Sequence, residues 1–371
     1  MATEVNEPRE VSNPDYPHVL SRELRVEGNK FVNDLGETVR LCGVNVASLE
    51  WCNGGDHVLE AIYEAFTNWN CNLIRLPMAQ DRWFGRSPGQ TDGGEAYRKI
   101  IDDVLALAAL FGKYIELDLH WSNGGVYGWQ LKQYKMPDML SIDFWAGVAS
   151  RYKNHPAALF NLYNEPRDIG WGVWRNGGMV EESSNKTPIL FETPGHQRLL
   201  TTVRAAGARN IIIAGGNDWG YDLRGVADGY ELRDTPTGNG VAYESHAYPW
   251  KPEKDVRTLC VADKYPIIVG EFGIGLTGRD GIEGKPNWMP EMLDWMDQHN
   301  LNFTAWCFHP KAGPAMLEDW TFKPNAHNGA PVKERLLSYP DTNAKLEKIP
   351  KLEDIYNLPE VEIRPRRRRR E

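Results

Sequence analysis

The sequence predicts a (β/α)₈ barrel, a fold of the α/β class. Short apolar runs alternate with amphipathic stretches along the 371-residue chain, and eight such runs occur. Each run is nearly continuous in apolar character at its centre, which is typical of a strand buried on both faces of a parallel sheet. Because helices connect the strands, the sheet must be parallel and covered by helices, and eight repeats in one domain close it into a barrel.

The chain opens with a polar arm, residues 1–20, and a small hairpin predicted from residues 24–26 and 30–32. The predicted barrel strands are residues 39–46, 72–77, 114–120, 158–164, 210–215, 241–246, 267–271 and 303–308. The clearest predicted helices are residues 57–68, 95–111, 143–152, 194–206, 256–264 and 289–299. The second helix carries apolar residues at the three-to-four spacing of one buried stripe. We therefore expect one domain over residues 21–345, followed by a tail, 346–371, with a basic end.

A doubly wound dinucleotide-binding sheet is the rival fold. It is disfavoured because Gly43–Val44–Asn45, in the first strand, is not a Gly-rich phosphate turn. The five Cys form no C-x-x-C pair, so neither a disulfide scaffold nor a zinc ribbon is expected.

The charge balance excludes several function classes. The net charge is −9, although six Arg crowd into residues 364–371. An acidic body argues against nucleic acid as a partner and suits a neutral substrate. No apolar run approaches the length of a membrane span, and no signal peptide is visible, so a secreted location is expected only if a leader is missing from this sequence.

Polar residues stand at the ends of most predicted strands. Because the active site of such a barrel lies at the carboxyl ends of its strands, these side chains are expected to share one mouth. They are Arg75, His120, Trp121, Asn164, Glu165, His246, Tyr248, Glu271 and Trp306.

Two glutamates, Glu165 and Glu271, form the decisive pair. Glycoside hydrolysis needs two carboxyl groups across the scissile bond, and a separation of about 5–5.5 Å makes one a nucleophile and the other an acid and then a base. The acid needs a raised pKa, whereas the nucleophile must stay ionised, a state that Arg75 and Tyr248 would favour. Asn164 is placed to bind the 2-hydroxyl of the sugar.

The chain holds 14 Trp, many in Gly- and Asn-rich stretches. Indoles in such settings offer flat surfaces to a ligand. The loop-like ones are Trp121, Trp129, Trp171, Trp174, Trp219, Trp250 and Trp288. Of these we expect Trp121, Trp171, Trp174 and Trp250 to contact substrate, with Trp306 stacking on a sugar ring.

NLYNEP at residues 161–166 resembles the acid/base signature of glycoside hydrolase family 5, the large cellulase family. The resemblance extends over residues 24–340, through IRLP, DLHW, SHAY, VGEFG and Trp306. It implies an enzyme with a (β/α)₈ barrel whose reaction retains anomeric configuration, with Glu165 as acid/base and Glu271 as nucleophile. The remaining family site positions correspond to Arg75, His120, Asn164, His246, Tyr248 and Trp306.

Within that family an endo-β-1,4-glucanase is favoured, and an endo-β-1,4-mannanase is the alternative. Long segments at residues 167–193 and 272–289 shape the cleft and leave the sugar and the endo or exo action open. The expected partner is a β-linked polysaccharide or oligosaccharide, bound by a monomer without cofactor or metal.

Two other classes remain to be tested. A metal-dependent barrel hydrolase would use Asp118, His120 and His246, but such sites usually begin with H-x-H on the first strand, which is absent here. A non-catalytic sugar-binding barrel would normally have lost one of the two glutamates.

Overall fold

The computed structural model describes residues 20–122, 133–182 and 188–355. The strands are β1 (Leu24–Glu27), β2 (Lys30–Asn33), β3 (Thr38–Val39), β4 (Cys42–Asn45), β5 (Leu73–Ala79), β6 (Tyr114–Trp121), β7 (Ala158–Asn161), β8 (Gly178–Glu182), β9 (Ile189–Thr193), β10 (Ile212–Gly215), β11 (Val241–His246), β12 (Ile267–Glu271) and β13 (Asn302–Ala305). The α-helices are α1 (Val58–Asn68), α2 (Gln80–Trp83), α3 (Glu95–Phe111), α4 (Ser141–Tyr152), α5 (Trp171–Asn176), α6 (Gly195–Ala205), α7 (Asn217–Gly220), α8 (Lys254–Arg257), α9 (Trp288–Gln298), α10 (Gly329–Ser338) and α11 (Leu352–Ile355).

Eight strands close into a parallel barrel in the order β4-β5-β6-β7-β10-β11-β12-β13, and β13 pairs with β4. The predicted fold class is confirmed, and all eight predicted strands belong to this barrel. The fourth strand is shorter than predicted, because regular pairing ends at Asn161. Asn164 and Glu165 therefore lie on the loop just beyond β7 rather than on the strand.

Alternate residues of each barrel strand face two different environments, as the strand pleat requires. On β6, Ile115, Leu117 and Leu119 pack in the large core between the barrel and its helices. The residues between them, including Glu116 and Asp118, point into the barrel and are fully buried. The inward face of this strand is therefore largely polar, although its sequence suggested an apolar strand.

The barrel interior is apolar at the amino ends of its strands. The residues of this apolar layer are Leu24, Phe31, Leu41, Leu73, Tyr114, Leu159, Ile211, Ile213, Ala242 and Ile268. Leu24 and Phe31 come from the antiparallel β1–β2 hairpin, which turns at Gly28 with φ of 60°. The predicted hairpin thus exists, extended by β3, and it covers the end of the barrel opposite the candidate site.

Two segments differ from the sequence prediction. Residues 256–264 do not form one helix but α8 and a 3₁₀ turn, Leu259–Val261. The carbonyl of Arg257 accepts a hydrogen bond from the Leu223 backbone N–H, which diverts it from the helical pattern. The long segment 167–193 contains α5 and the β8–β9 hairpin, neither of which we predicted.

Among the described residues, no helix is both long and apolar enough to cross a membrane. The N-terminal arm apart from Leu20, and the basic end of the tail, lie outside the described residues. The proposed domain boundaries therefore remain predictions.

Candidate active site

Arg75 on β5 is the centre of the site and has no exposed surface. Four carboxylates surround its guanidinium: Glu116 Oε1 lies 3.3 Å from Nε, Asp118 Oδ2 and Glu244 Oε1 each lie 3.1 Å from Nη2, and Glu271 Oε1 lies 3.0 Å from Nη1. Burial disfavours the charge, but the four carboxylates outweigh it and raise the pKa of Arg75 well above its ordinary value. The guanidinium is therefore a permanent buried cation.

Two amides fix the orientation of this cation. Arg75 Nη1 donates to Asn45 Oδ1 at 3.0 Å, and Nη2 donates to Asn164 Oδ1 at 2.6 Å. Asn45 is itself anchored, because its Nδ2 donates to the carbonyl of Gly270 at 2.8 Å. The planar fork of Arg75 is thus held on both sides, which a flexible lysine could not reproduce.

Glu271, at the end of β12, lies where its negative charge is stabilised. The Tyr248 hydroxyl donates to Glu271 Oε2 at 2.7 Å, and Arg75 Nη1 donates to Oε1 at 3.0 Å. Burial and the neighbouring carboxylates raise the pKa of Tyr248 well above its ordinary value, so the phenol remains a donor. Hydrogen bonds of this kind favour an ionised carboxylate, the state that a nucleophile requires.

Glu165 lies in a different environment. Its Oε1 lies 3.0 Å from His246 Nδ1, and His246 Nε2 lies 2.7 Å from Glu244 Oε1. Although burial opposes the charge, Glu271, Glu165 and Glu244 raise the pKa of His246 to about 10. Burial likewise opposes the charge of Glu165, but the hydrogen bond from His246 lowers its pKa.

This lowered pKa differs from the raised value that the sequence argument expected for an acid. The reason is the hydrogen bond between His246 Nδ1 and Glu165 Oε1, which favours the ionised form of Glu165 in the substrate-free protein. Oxygens of Glu165 and Glu271 and a nitrogen of His246 all lie within 4.8 Å of one another. The short spacing of the two carboxylates suits a retaining glycosidase, in which the carboxyl groups are about 5–5.5 Å apart.

His120, at the end of β6, completes the polar cluster. Its Nδ1 lies 2.7 Å from Asp118 Oδ2, and its Nε2 lies 3.3 Å from Asn164 Nδ2. Its ring stacks on Trp306, with centroids 5.4 Å apart and planes inclined by 9°. A histidine and an indole thus form one continuous wall of the cleft.

Above these groups lies a cavity of about 400 Å³, a volume within the range of ligand sites. It is lined by His120, Glu165, Trp219, Tyr248, Trp250, Lys251, Glu271, Trp306, Gly313 and Pro314. Trp250 stacks on Tyr248 with centroids 4.7 Å apart and keeps 53% of its surface exposed. Of the four loop indoles expected to contact substrate, Trp250 therefore lines the cavity together with the two glutamates.

Trp219, a loop indole that the sequence does not single out as a substrate contact, also lines the cavity. Asp218 and Trp219 both have positive φ, 55° and 62°, a conformation that L-residues rarely adopt. Lys251 Nζ donates to Asp218 Oδ1 at 3.1 Å and so holds this turn, while the Arg167 guanidinium lies 4.3 Å from the centre of the Trp219 ring. The strained turn presents the ring to the cavity with 44% of its surface exposed.

The prediction that Trp174 contacts substrate is wrong. Trp174 has no exposed surface, and its Nε1 donates to the carbonyl of Gly215 at 3.0 Å inside the core. Trp171 packs edge-on against it at 5.1 Å and lies so close to Gly225 that a Cβ there would be 1.9 Å from the indole. Neither ring lines the cavity. Their Gly-rich sequence setting reflects close packing rather than exposure.

Three loop indoles remain, and one of them, Trp288, is half-buried as the first residue of α9 and does not line the cavity. Trp121 is half-buried beside His120, with centroids 6.4 Å apart, and does not line the cavity. Trp129 lies outside the described residues.

Sequence reasoning missed four polar residues of the site: Asn45, Glu116, Gln133 and Glu244. Gln133 Nε2 donates to Glu165 Oε2 at 3.3 Å, and the other three lie in the cluster around Arg75. A signal for two of them was present, since E-x-D-x-H in β6 and E-x-H in β11 place acids at the period of a strand. The nearly continuous apolar character of each run hides these inward-facing acids.

The set suggested for the metal-dependent alternative is occupied by internal partners. Asp118 lies between Arg75 and His120, and His246 lies between Glu165 and Glu244. The guanidinium 3.1 Å from Asp118 Oδ2 opposes a second cation at that carboxylate.

A sequence profile described as Cellulase (glycosyl hydrolase family 5) matches residues 32–312. The chain belongs to glycoside hydrolase family 5. It is therefore a glycoside hydrolase, and its (β/α)₈ barrel is the fold of that family. The retaining mechanism is general to the family, so the sequence prediction of a retaining glycosidase is confirmed.

Curated relatives carry endoglucanase names. An endoglucanase from Paenibacillus polymyxa is 28% identical over 351 residues, covering 80% of this chain and 82% of that protein. Endoglucanase N from Pectobacterium atrosepticum is 25% identical over 291 residues, covering 76% of this chain. The match spans 56% of Endoglucanase N and 49% of Endoglucanase 5 from Pectobacterium carotovorum, about half the length of those proteins.

Solved structures support the fold. The β-glucanase SdGluc5_26A from Saccharophagus degradans, in complex with cellotetraose, superimposes with a TM-score of 0.67 at 24% identity, covering 90% of this chain and 98% of that one. The catalytic domain of Thermobifida fusca endoglucanase Cel5A superimposes with a TM-score of 0.58 at 17% identity, covering 85% and 97%.

Proposed function

We propose that this chain is a retaining endo-β-1,4-glucanase in which Glu271 is the nucleophile and Glu165 the acid/base. One observation carries the role assignment: the two carboxylates lie close together in opposite environments. Glu271 accepts hydrogen bonds from the Arg75 guanidinium and the Tyr248 hydroxyl, whereas Glu165 is paired with a histidine whose pKa is raised to about 10. The first environment suits nucleophilic attack and the second suits proton transfer.

The reaction proceeds in two steps. Glu165 first takes the proton that His246 Nδ1 holds 3.0 Å away. Glu271 then attacks the anomeric carbon while Glu165 passes that proton to the departing glycosidic oxygen, which breaks the glycosidic bond and leaves a glycosyl ester on Glu271. Glu165, now a carboxylate, removes a proton from water, and that water cleaves the ester with a second inversion. The product therefore has the same anomeric configuration as the substrate.

The surrounding residues bind and orient the sugar at the point of cleavage. Asn164 is held by Arg75 and lies beside Glu165, where it is placed to meet the sugar 2-hydroxyl. Trp306 keeps 9% of its surface exposed, at the cavity, and offers the face of its indole to the ring that reacts. Trp219 and Trp250 add two exposed indoles to the lining of the same cavity.

A β-1,4-glucan is the favoured substrate because proteins similar to this chain are endoglucanases, and one structural neighbour holds cellotetraose. No relative named above is a mannanase, so mannan is not favoured. The test is product analysis on carboxymethylcellulose, mixed-linkage β-glucan, glucomannan, mannan and xyloglucan. We expect a rapid fall in viscosity with carboxymethylcellulose, and turnover confined to mannan would contradict the proposal.

The roles of the two glutamates separate with an activated aryl glycoside, whose leaving group needs no acid. We expect Glu271→Ala and Glu165→Ala each to lower turnover of polysaccharide by several orders of magnitude. Added azide should give a β-glycosyl azide with Glu165→Ala and an α-glycosyl azide with Glu271→Ala. The same anomer from both variants would contradict the assignment. Asp234→Asn, which removes a carboxylate paired with Arg204 away from the cavity, is the control and should keep normal turnover.

A further inference from the structure

We propose that Glu116 and Glu244 share one buried proton, with Glu116 as the carboxylic acid and Glu244 as the carboxylate, and that this pair is the positioning device for His246. The proposal rests on the role of Glu165 as acid/base given above, because His246 acts on the reaction only through Glu165. Neither glutamate lines the cavity, so neither touches substrate.

The two carboxyl groups meet inside the barrel from β6 and β11. Both are fully buried, and each directs its Oε1 towards Arg75, at 3.3 Å for Glu116 and 3.1 Å for Glu244. Glu116 Oε1 also accepts a hydrogen bond from Asn161 Nδ2 at 2.7 Å. Oε1 of each glutamate therefore takes part in one hydrogen bond, Glu116 with Asn161 and Glu244 with His246, and lies within ion-pairing distance of Arg75.

The other oxygens point to a shared proton. Among the described residues, neither Glu116 Oε2 nor Glu244 Oε2 receives a hydrogen bond from a protein donor. Both carboxyl groups lie against the same Arg75 guanidinium, and their interaction raises the pKa of Glu116 and lowers that of Glu244. Two buried carboxylates in contact cannot both remain ionised, whereas one proton between them satisfies both oxygens.

The environment decides which glutamate carries the proton. Glu244 faces two cationic partners, Arg75 and His246, and although burial opposes its charge they lower its pKa. Glu116 faces Arg75 alone, and burial together with the Glu244 charge raises its pKa well above the ordinary value. Glu116 is therefore the neutral donor and Glu244 the acceptor.

The neighbouring strand is shaped around this pair. Gly270 on β12 lies so close to Glu244 that a Cβ there would be 2.1 Å from Glu244 Cδ and 2.4 Å from Oε2. A glycine is the residue that leaves space for this carboxylate directly before the nucleophile, Glu271.

The pair acts on the reaction through the two nitrogens of His246. Glu244 Oε1 accepts a hydrogen bond from the Nε2–H of His246 at 2.7 Å. This bond leaves Nδ1 directed at Glu165 Oε1, 3.0 Å away. When the Nδ1–H bond breaks and the proton passes to Glu165, the imidazole becomes neutral. Its Nε2–H remains hydrogen-bonded to Glu244. His246 Nδ1 also lies 3.7 Å from Glu271 Oε2, so a charged His246 is attracted to both catalytic carboxylates.

The other titratable and charged groups of the cluster are left in place in the variants that test the proposal. Arg75 on β5 contacts both glutamates, Asp118 and Glu271 contact Arg75 from β6 and β12, and His120 and Tyr248 contact those two carboxylates.

The first experiment compares Glu116→Gln with Glu116→Leu. The carboxamide places an oxygen towards Asn161 and an N–H towards Glu244, and thus reproduces the protonated acid, whereas leucine removes the donor. We expect Glu116→Gln to keep kcat/KM within about threefold of the original protein, with unchanged pH limits. A Glu116→Gln variant with a displaced pH profile would show that Glu116 is ionised and would overturn the proposal.

The second experiment is Glu244→Gln, the same change on the partner. Loss of the negative charge that holds Nε2–H destabilises charged His246, so the alkaline limit of kcat/KM should move down by about 1–3 pH units. Thermal melts measured alongside report folding, which a purely structural role would alter without moving the limit. An unmoved alkaline limit in folded Glu244→Gln would overturn the proposal.

The third experiment does not depend on activity. Infrared difference spectra of the original protein minus Glu116→Gln, without substrate at pH 8, should show the C=O stretch of one protonated carboxyl group. That pH is chosen because Glu50, whose pKa burial raises to about 7, is then mostly ionised. Absence of the band overturns the shared proton. Presence of the band together with full turnover in Glu165→Gln would instead overturn the proposed role of Glu165.

Discussion

The two ends of the barrel interior are built from the same strands by opposite chemistry. Leu73 and Arg75 are two residues apart on β5, and Leu159 and Asn161 are two apart on β7, so each pair faces inward from one strand. The first member of each pair packs in the apolar layer under the β1–β2 hairpin, and the second lies in the charged cluster. One step along the pleat therefore separates a region that stabilises the fold from a region that binds and reacts.

The two ends of the barrel interior contribute differently to the stability of the fold. Burying an aliphatic side chain stabilises the fold by about 1.5–3 kcal/mol with no polar group to satisfy. Burying Arg75 with four carboxylates carries desolvation costs that ion pairing roughly cancels, so the charged end adds little net stability. The charged end instead requires all of its ion-pair partners, because loss of one partner leaves the others buried and unpaired.

The largest expected effect follows from removing the cation. Arg75→Leu leaves four buried carboxylates without their shared partner and should cost at least about 3–5 kcal/mol of stability at pH 7, with loss of turnover. The cost should shrink at lower pH, where protonation relieves the repulsion. Urea denaturation at pH 7 and pH 5 measures both effects. An equal cost at the two pH values would mean that the carboxylates are not the cause.

The matched change at the apolar end is Leu159→Ala. It should cost about 2–5 kcal/mol through lost burial and a cavity, equally at both pH values. Kinetics of the protein that still folds should be normal, because Leu159 lies in the apolar layer and not at the cavity. A reduced kcat in this variant would show that the apolar end also affects catalysis and does not only stabilise the fold.

A smaller and pH-dependent effect belongs to Glu50, a buried carboxyl near the charged end. Burial raises its pKa from 4.5 to about 7, so between these values the folded state keeps a proton that the unfolded chain has lost. Stability from this group is full below pH 4.5, falls as pH rises to 7 and then levels off, a change of roughly 3 kcal/mol.

Glu50→Gln removes that titration. Relative to the original protein it should therefore gain stability between pH 4.5 and pH 7 and keep the gain above pH 7. Denaturation midpoints across this range measure the difference directly. Curves that run parallel for the two proteins would show that Glu50 titrates normally.

The apolar periodicity of the sequence predicted the barrel because a strand covered on both faces repeats one recognisable pattern. For β11 and β12 the predicted bounds agree with the structure, and Glu165 and Glu271 both line the cavity. Arg75, predicted near the end of its strand, lies instead inside the longer β5 and reaches Glu271 from below the cavity. The inward acids were missed because an apolar run hides polar residues at every second position.

The orientation of a loop indole could not be predicted either. Trp174 and Trp219 both follow barrel strands in Gly-rich sequence, yet one is buried and the other is 44% exposed. The exposure of each indole depends on tertiary contacts. Trp174 is buried by a hydrogen bond to the carbonyl of Gly215 on β10, and Trp219 is exposed by a turn of positive φ that Lys251 holds. Neither feature leaves a local sequence signal.

The smallest expected effect tests that contrast between the two indoles. Trp219→Ala removes an exposed ring from the cavity wall, and a stacking contact of roughly 0.5–1.5 kcal/mol should raise KM for long glucans about two- to tenfold with kcat unchanged. Short aryl glycosides should be unaffected, because they do not reach this ring. Trp174→Ala should cost about 3–5 kcal/mol of stability and leave KM normal in the folded fraction.

The backbone at Trp219 supplies a control for strain, since alanine retains the Cβ that makes a φ of 62° unfavourable and glycine does not. Trp219→Gly should therefore match Trp219→Ala in KM while melting at the same or a higher temperature. If both variants melt lower and leave KM for long chains unchanged, Trp219 is a packing residue like Trp174. The wall of the cleft would then be limited to Trp250 and Trp306, and the strained turn would need another explanation.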